Sequence, residues 1–125
     1  GLTLNLHDLD KIIVTDKKWL LVVIEQILSN SLKYTKDGGL EIYMEGQELC
    51  IKDTGIGIKN SDVLRVFERG FSGYNGRLTQ QSSGLGLYLS KKISEELGHQ
   101  IRIESEVGTG TTVRIKFSDM NLIIE

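Results

Sequence analysis

Asp53-Thr54-Gly55-Ile56-Gly57-Ile58 is the stretch on which the reading of this chain depends: an acidic residue closing an apolar run, followed by two glycines one residue apart. Two further glycine clusters lie downstream, Ser83-Gly84-Leu85-Gly86-Leu87 and Gly108-Thr109-Gly110-Thr111. Glycine allows positive φ and a close approach of backbone to a ligand, and amides at the start of a helix suit phosphate. Taken singly, each cluster is a weak signal. Gly84-Leu85-Gly86 begins like a dinucleotide fingerprint, but Leu89 stands at the third glycine position and a long loop precedes it instead of a strand. No glycine is followed by Lys and then Ser or Thr, as a phosphate-binding lysine loop requires.

Upstream of this stretch, Leu2, Leu4 and Leu6 alternate with polar neighbours and Ile12 to Thr15 is a short β-branched run. Both read as strands, and together they suggest a hairpin. Asp16 is a candidate N-cap for a helix running to about Thr35, with Leu20, Val23, Ile24, Ile27 and Leu28 at helical spacing. Asp37-Gly38-Gly39 has turn chemistry, and Leu40 to Met44 and Leu49 to Lys52 alternate on either side of Gly46 as paired strands. From Asp53 to Gly86 glycine and polar residues dominate, interrupted by a helical stretch at Ser61 to Phe67 with Val63, Val66 and Phe67 on one side. Long, weakly patterned segments inside compact domains are usually functional or mobile. Leu85 to Leu97 is again helical and Gly98 stands where a C-terminal cap belongs. Ile101 to Glu104 and Thr112 to Phe117 read as strands separated by Val107-Gly108-Thr109-Gly110. These elements lack the strict rhythm of a doubly wound sheet. They predict an α/β two-layer sandwich, a mixed sheet of about five strands with three helices on one face.

A chain of 125 residues with 39% hydrophobic content supports one core, so a single domain over residues 1–125, as a fragment of a longer protein, is expected. The formal net charge of −2 and a pI near 5.7 lack the clustered Lys and Arg that phosphate neutralisation requires, which argues against nucleic acid as a partner. Cys50, alone, cannot form an internal disulfide; it reads as a small apolar strand residue in a reducing setting. The longest apolar stretch, Trp19 to Ile24, is far short of the roughly 20 residues that cross a bilayer. No proline, repeat or low-complexity tract marks a linker.

What raises the signal is the order of the glycine clusters together with Asn30-Ser31-Leu32-Lys33-Tyr34-Thr35 on the first long helix. In this order the chain resembles the catalytic domain of sensor histidine kinases, within the GHKL superfamily and its Bergerat ATP-binding fold, which also holds gyrase, heat-shock chaperone and MutL ATPases. The N box falls at Gln26 to Thr35, the first glycine box at Asp53 to Ile58 and the phenylalanine-containing box at Val66 to Phe71. The second and third glycine boxes fall at Gly84 to Leu87 and Gly108 to Thr111, so the resemblance covers essentially the whole chain. The runs Phe67 to Arg77 and Gly86 to Lys92 further resemble membrane kinases that sense cell-envelope antibiotics alongside ABC transporters.

The resemblance implies ATP and Mg2+ as cofactors and assigns roles to residues. Asn30 would be the magnesium ligand, through a neutral carbonyl oxygen beside the nucleotide phosphates. Lys33, three residues later, would meet the phosphates as a point charge, and Tyr34 would lie against adenine. Asp53 would accept a hydrogen bond from the exocyclic amine of adenine, which separates adenine from guanine. Gly55 and Gly57 would let the backbone pass close to base and ribose, and Ile58, Gly84, Leu85, Gly86, Leu87 and Thr111 complete the nucleotide-binding set. Arg69 and Arg77 lie in or beside the segment Gly70 to Ser83, the expected ATP lid, and either would help neutralise charge during transfer. Gln26 lies one turn before Asn30 on the same face. Hydrolytic relatives carry a glutamate there that activates water, a task glutamine cannot perform.

The phosphorylated histidine of such kinases sits on a two-helix dimerisation domain. Neither His7 nor His99 fits that motif, and both read as structural or surface residues. The expected partners are therefore the protein's own dimerisation and histidine-phosphotransfer domain, a downstream response regulator and, through the full-length protein, an ABC transporter. The fragment is expected to be monomeric, the full-length protein a homodimer, and the domain cytoplasmic on a plasma-membrane protein. An ATP hydrolase of the gyrase type, a serine kinase of the anti-sigma-factor type and a nucleotide-binding module without catalysis are the competing readings.

Overall fold

The computed structural model describes residues 2–9, 12–13, 15–35, 37–68, 86–117 and 122–123. In chain order its elements are β1 (Leu2–His7), β2 (Ile12–Ile13), α1 (Lys17–Tyr34), β3 (Gly38–Glu45), β4 (Glu48–Asp53), α2 (Asn60–Val63), α3 (Gly86–Glu96), β5 (Gln100–Glu106), β6 (Gly110–Lys116) and β7 (Leu122–Ile123).

Helix α1 starts where the sequence predicts, because the Asp16 carboxylate accepts a hydrogen bond from the Trp19 amide at 3.3 Å. Its buried stripe is Val23 and Ile27, with Leu20, Ile24 and Leu28 at the margin. Fully burying such aliphatic side chains is worth roughly 1.5–3 kcal/mol each. An N-cap contributes about 1 kcal/mol. Packing rather than capping therefore holds α1 in place. Helix α3 ends at Gly98, whose φ is 85°. The His99 amide donates to the Ser94 carbonyl at 2.8 Å and the Gly98 amide to the Glu95 carbonyl at 3.1 Å, the paired bonds of a Schellman cap.

Five strands form one mixed sheet in the order β1-β3-β4-β6-β5, parallel between β1 and β3 and antiparallel elsewhere. Val23, Ile27, Met44, Leu49, Ile51, Val113, Ile115 and Phe117 make one core between this sheet and the helices. Three helices are present among the described residues, and the expected two-layer α/β sandwich is the observed one. The opposite face of the sheet carries charge: Arg114 bonds Glu104 at 2.7 Å and lies near Glu45 and Glu48, while Arg102 bonds Glu48 at 3.1 Å.

Three local expectations need correction. β1 and β2 do not form a hairpin: β1 pairs in parallel with β3, which requires the crossover that α1 supplies, and β2 pairs with β7 in a separate two-stranded sheet. The Met44 amide extends the parallel pairing to the Asp8 carbonyl at 3.2 Å, and Asp8, with φ of 55°, turns the chain away from it. Gly38 and Gly39 belong to β3 instead of a turn, opposite Leu2 and Thr3. Finally, α2 is shorter than the predicted Ser61 to Phe67, with turns over Leu64 to Phe67, although Val66 is buried as expected.

Candidate functional site

Asp53 is the last residue of β4, between Leu40 of β3 and Thr111 of β6. Its residue exposure is only 6%, so an ionised carboxylate here needs hydrogen bonds in place of water. Oδ1 accepts from the Gly55 amide at 2.9 Å and from the Thr111 amide at 3.2 Å. Burial pushes the carboxyl above the ordinary Asp value, while the Gly55 amide, the Ser31 hydroxyl and the Thr111 amide pull it back. Ser31 and Thr35, one turn apart on α1 and both buried, meet this acid from the helix. The Thr35 hydroxyl stands beside the carboxyl and adds the last and smallest lowering effect. It falls short of a hydrogen bond there, and among the described residues Thr35 Oγ1 has no partner.

The first and third glycine clusters are bound to each other. The Gly108 amide donates to the Ile56 carbonyl at 2.9 Å, and the Ile58 amide donates to Ser105 Oγ at 2.8 Å. Ser105 Oγ lies 3.0 Å from the Gly110 carbonyl and 2.7 Å from Thr111 Oγ1. A hydroxyl has one proton, so if Ser105 donates to Gly110 then Thr111 must donate to Ser105. Gly57 has φ of 79° and Gly110 φ of 138°. A Cβ at Gly57 would overlap the Glu106 carbonyl, and one at Gly110 would overlap the Asp53 carbonyl. Glycine at these two positions is thus a condition for the two loops to close around Asp53.

Gln26, Asn30 and Lys33 share one face of α1, the first two half-buried and Lys33 exposed. Gly86 opens α3 against this face: a Cβ there would stand 3.2 Å from Gln26 Oε1. Asn30 is adjacent to Ser31 and one turn past Gln26 on α1. The structure brings together Asp53, Gly55, Gly57, Ile58 and Thr111 at one end of the sheet, and sets Gly86 against Gln26 on α1. Arg69, Arg77, Gly84 and Leu85 lie outside the described residues, as does the side chain of Tyr34.

Sequence reasoning missed Ser31, Thr35 and Ser105. The first two had a usable signal, hydroxyls four residues apart on the helix; a single serine in a strand has none. Among the histidines, His99 is buried, edge-on to Phe117 at 4.7 Å, with Nε2 bonded to Thr15 Oγ1 at 2.9 Å. Desolvation lowers its pKa. His7 lies on the open face of the sheet, stacked on Tyr43 at 4.8 Å. An open groove of about 790 Å³ lies at the other end of the sheet, around His99, Gln100 and Glu48, and includes none of the residues gathered at Asp53. Its charges, Glu45, Glu48 and Glu95 against Lys91, Arg102 and Lys116, balance.

Residues 15–121 match the family described as histidine kinase-, DNA gyrase B-, and HSP90-like ATPase. The chain is similar to the sensor protein kinase GraS of Staphylococcus aureus, in strain JH1 and in strain Newman, with 44% identity over 120 residues in each case. The alignment covers 93% of this chain and 35% of either relative, so the chain spans about a third of their length. In fold it is similar to the mycobacterial sensor histidine kinase MprB, with a TM-score of 0.74 at 24% identity over 91% of this chain and 79% of that one. It is likewise similar to the catalytic domain of histidine kinase ThkA, with a TM-score of 0.69 at 18% identity over 94% and 77% of the two chains.

Proposed function

This chain belongs to the family of histidine kinase-, DNA gyrase B-, and HSP90-like ATPases, as an ATP-binding catalytic domain of the sensor histidine kinase type, and from that premise we propose that it transfers the γ-phosphoryl group of Mg-ATP to a histidine on a dimerisation domain. The observation that carries this reading is the buried Asp53 carboxyl, whose Oδ1 is fixed by the Gly55 and Thr111 amides. A carboxylate so placed is an acceptor-only group of defined direction, which suits the amine of adenine and not the carbonyl of guanine. Gly57 and Gly110, where a Cβ would meet backbone, keep the adjoining loops tight against it.

Asn30 offers its amide oxygen for a magnesium ion. Among the described residues no cluster of His, Cys, Asp or Glu is placed to hold a metal, so the ion would share Asn30 with the phosphates. Bound magnesium would neutralise phosphate charge during an in-line transfer. Lys33, exposed on the same helical face, supplies a cation toward the phosphates, and the Gly86 end of α3 offers backbone amides to them. Arg69 and Arg77 are assigned to charge neutralisation from the lid, and Tyr34 to the face of the base. Catalysis then consists of positioning and charge neutralisation, with an imidazole as nucleophile.

Hydrolysis is the second reading. Gln26 speaks against it, since no carboxylate stands on the Asn30 face one turn upstream to take a proton from water. The domain, residues 1–125, is read as part of a homodimeric membrane sensor kinase with a cytoplasmic catalytic part, a response regulator downstream and an ABC transporter as signalling partner. Among the described residues no helix is long and apolar enough to cross a membrane. Incubating the chain with Mg-ATP and its own dimerisation domain tests the proposal: an acid-labile, base-stable phosphohistidine is expected. Steady phosphate release by the chain alone, without phosphohistidine, would establish the hydrolase instead.

A further inference from the structure

Asp53, Thr111 and Ser105 stand side by side on β4, β6 and β5, each opposite the next in the strand register. Within this row Thr111 reaches Asp53 through its amide, 3.2 Å from Oδ1, and Ser105 lies one strand further out. Ser105 Oγ nevertheless touches both loops that flank the acid. It meets the Ile58 amide, which ends the first glycine cluster, at 2.8 Å, and the Gly110 carbonyl and Thr111 Oγ1 of the third at 3.0 and 2.7 Å. A serine hydroxyl has one proton and two lone pairs. With the proton on the Gly110 carbonyl and the lone pairs taken by the Ile58 amide and the Thr111 hydroxyl, Ser105 is used to capacity and has nothing left for a ligand.

We infer that Ser105 is a positioning residue of the nucleotide site: its hydroxyl locks the first glycine loop to the third, and so holds the Gly55 and Thr111 amides that direct the Asp53 carboxylate. This rests on the proposed function and deepens it, by naming a residue that acts on the nucleotide without touching it. A second tie between the loops, from the Gly108 amide to the Ile56 carbonyl, joins two exposed residues, where water competes for the bond. Ser105 is half-buried, where a hydrogen bond is stronger. Backbone pairing keeps β5 on β6, so removing Oγ loosens the loops without undoing the sheet.

The test is calorimetric titration of this chain and its Ser105→Ala, Ser105→Cys and Ser105→Thr variants with Mg-ATP, with amide hydrogen exchange followed by NMR on the same proteins. Ser105→Ala should bind Mg-ATP about three- to tenfold more weakly than the parent. The Gly55, Ile58 and Thr111 amides should exchange faster in it, while those of α1 and β3 keep the parent rates. Ser105→Thr retains the hydroxyl and should stay near the parent in both measurements. Ser105→Cys has nearly the same shape but a sulfur that bonds weakly, so it should bind less tightly than Ser105→Thr, and it carries the comparison if Ser105→Ala does not fold. Parent-like binding by Ser105→Ala, equal binding by the Cys and Thr variants, or faster exchange of every amide alike overturns the assignment and leaves Ser105 an ordinary strand residue. Failure of the parent chain to bind Mg-ATP would instead overturn the proposed function, and exchange at Ile58 would still report whether the two loops are locked.

Discussion

Gly86, the first residue of α3, faces Gln26 on α1 so closely that a methyl group there would stand 3.2 Å from Gln26 Oε1. The oxygen is the tip of a flexible side chain and can yield by a few tenths of an ångström. Gly57 and Gly110 are different, because an added methyl would meet backbone of Glu106 and Asp53 at positive φ. Gly86→Ala, helped by up to about 1 kcal/mol of helix propensity, should leave unfolding stability nearly unchanged while displacing Gln26 and weakening Mg-ATP binding. Gly57→Ala or Gly110→Ala should lose at least about 2 kcal/mol of stability in urea denaturation. Equal stability losses at all three positions would contradict the packing described.

Asp53 is held above the ordinary Asp value of 3.8, mainly by desolvation. Its native pKa exceeds its unfolded one, so protonation favours the folded state: its contribution to stability is full below 3.8 and is lost as pH rises through the raised value. Asp53→Asn should therefore be relatively more stable than the parent at neutral pH, and the difference should shrink toward acid. ATP affinity should run the opposite way in the parent, falling as the carboxylate is protonated, and should be weak and flat with pH in the variant. Calorimetry across pH 4.5–7.5 checks both.

His7 joins β1 to β3, with Nδ1 2.8 Å from Asp8 Oδ2 and Nε2 2.9 Å from Glu41 Oε2, above the Tyr43 ring. The two carboxylate contacts raise its pKa above 6.5, the Asp8 bond foremost. The stability it contributes is thus complete below 6.5 and disappears as pH climbs through the raised value. The difference in melting temperature between the parent and His7→Gln should be largest at pH 6 and close by pH 9, and an NMR titration of the ring should place its midpoint above that of an exposed histidine. A midpoint below it would refute the assigned contacts.

Cys50 is fully buried on the charged face of the sheet, with Arg114 Nη1 3.1 Å from its sulfur. Burial also raises the thiol's pKa. Alkylation by a thiol reagent should therefore be slow at neutral pH and should accelerate in Arg114→Ala, which removes both the cover and the tie to Glu104. The same variant should lose about 1–3 kcal/mol, from packing as well as charge. Unchanged alkylation would mean that another group shields the sulfur.

Elements whose signals are local could be read from sequence alone: the capped and periodic α1, the hairpin of β3 and β4 around Gly46, and the stop at Gly98. The motif order also singled out Asp53 and its glycines as candidates, and these residues do lie together, because they answer to backbone geometry that few others satisfy. Pairing between distant strands could not be read, which is why β1 and β2 looked like a hairpin although each has a partner far away in the chain. Ser31, Thr35 and Ser105 escaped for a related reason. A hydroxyl acquires meaning from the neighbour it faces, and those neighbours, Asp53, Ile58 and Gly110, come from other elements.

The antiparallel pairing of β4 with β6 brings Asp53 opposite Thr111, and these are the only inner strands of the sheet joined to each other across a long stretch of chain. β3–β4 and β5–β6 are local ribbons that can form early, whereas stitching one ribbon to the other must wait on the slower closure of the segment between them. The proposed nucleotide site straddles that stitch, so partly assembled chains hold no site to fill. Ligand will bind the finished architecture alone and, by mass action, will tighten the join that creates its own binding place.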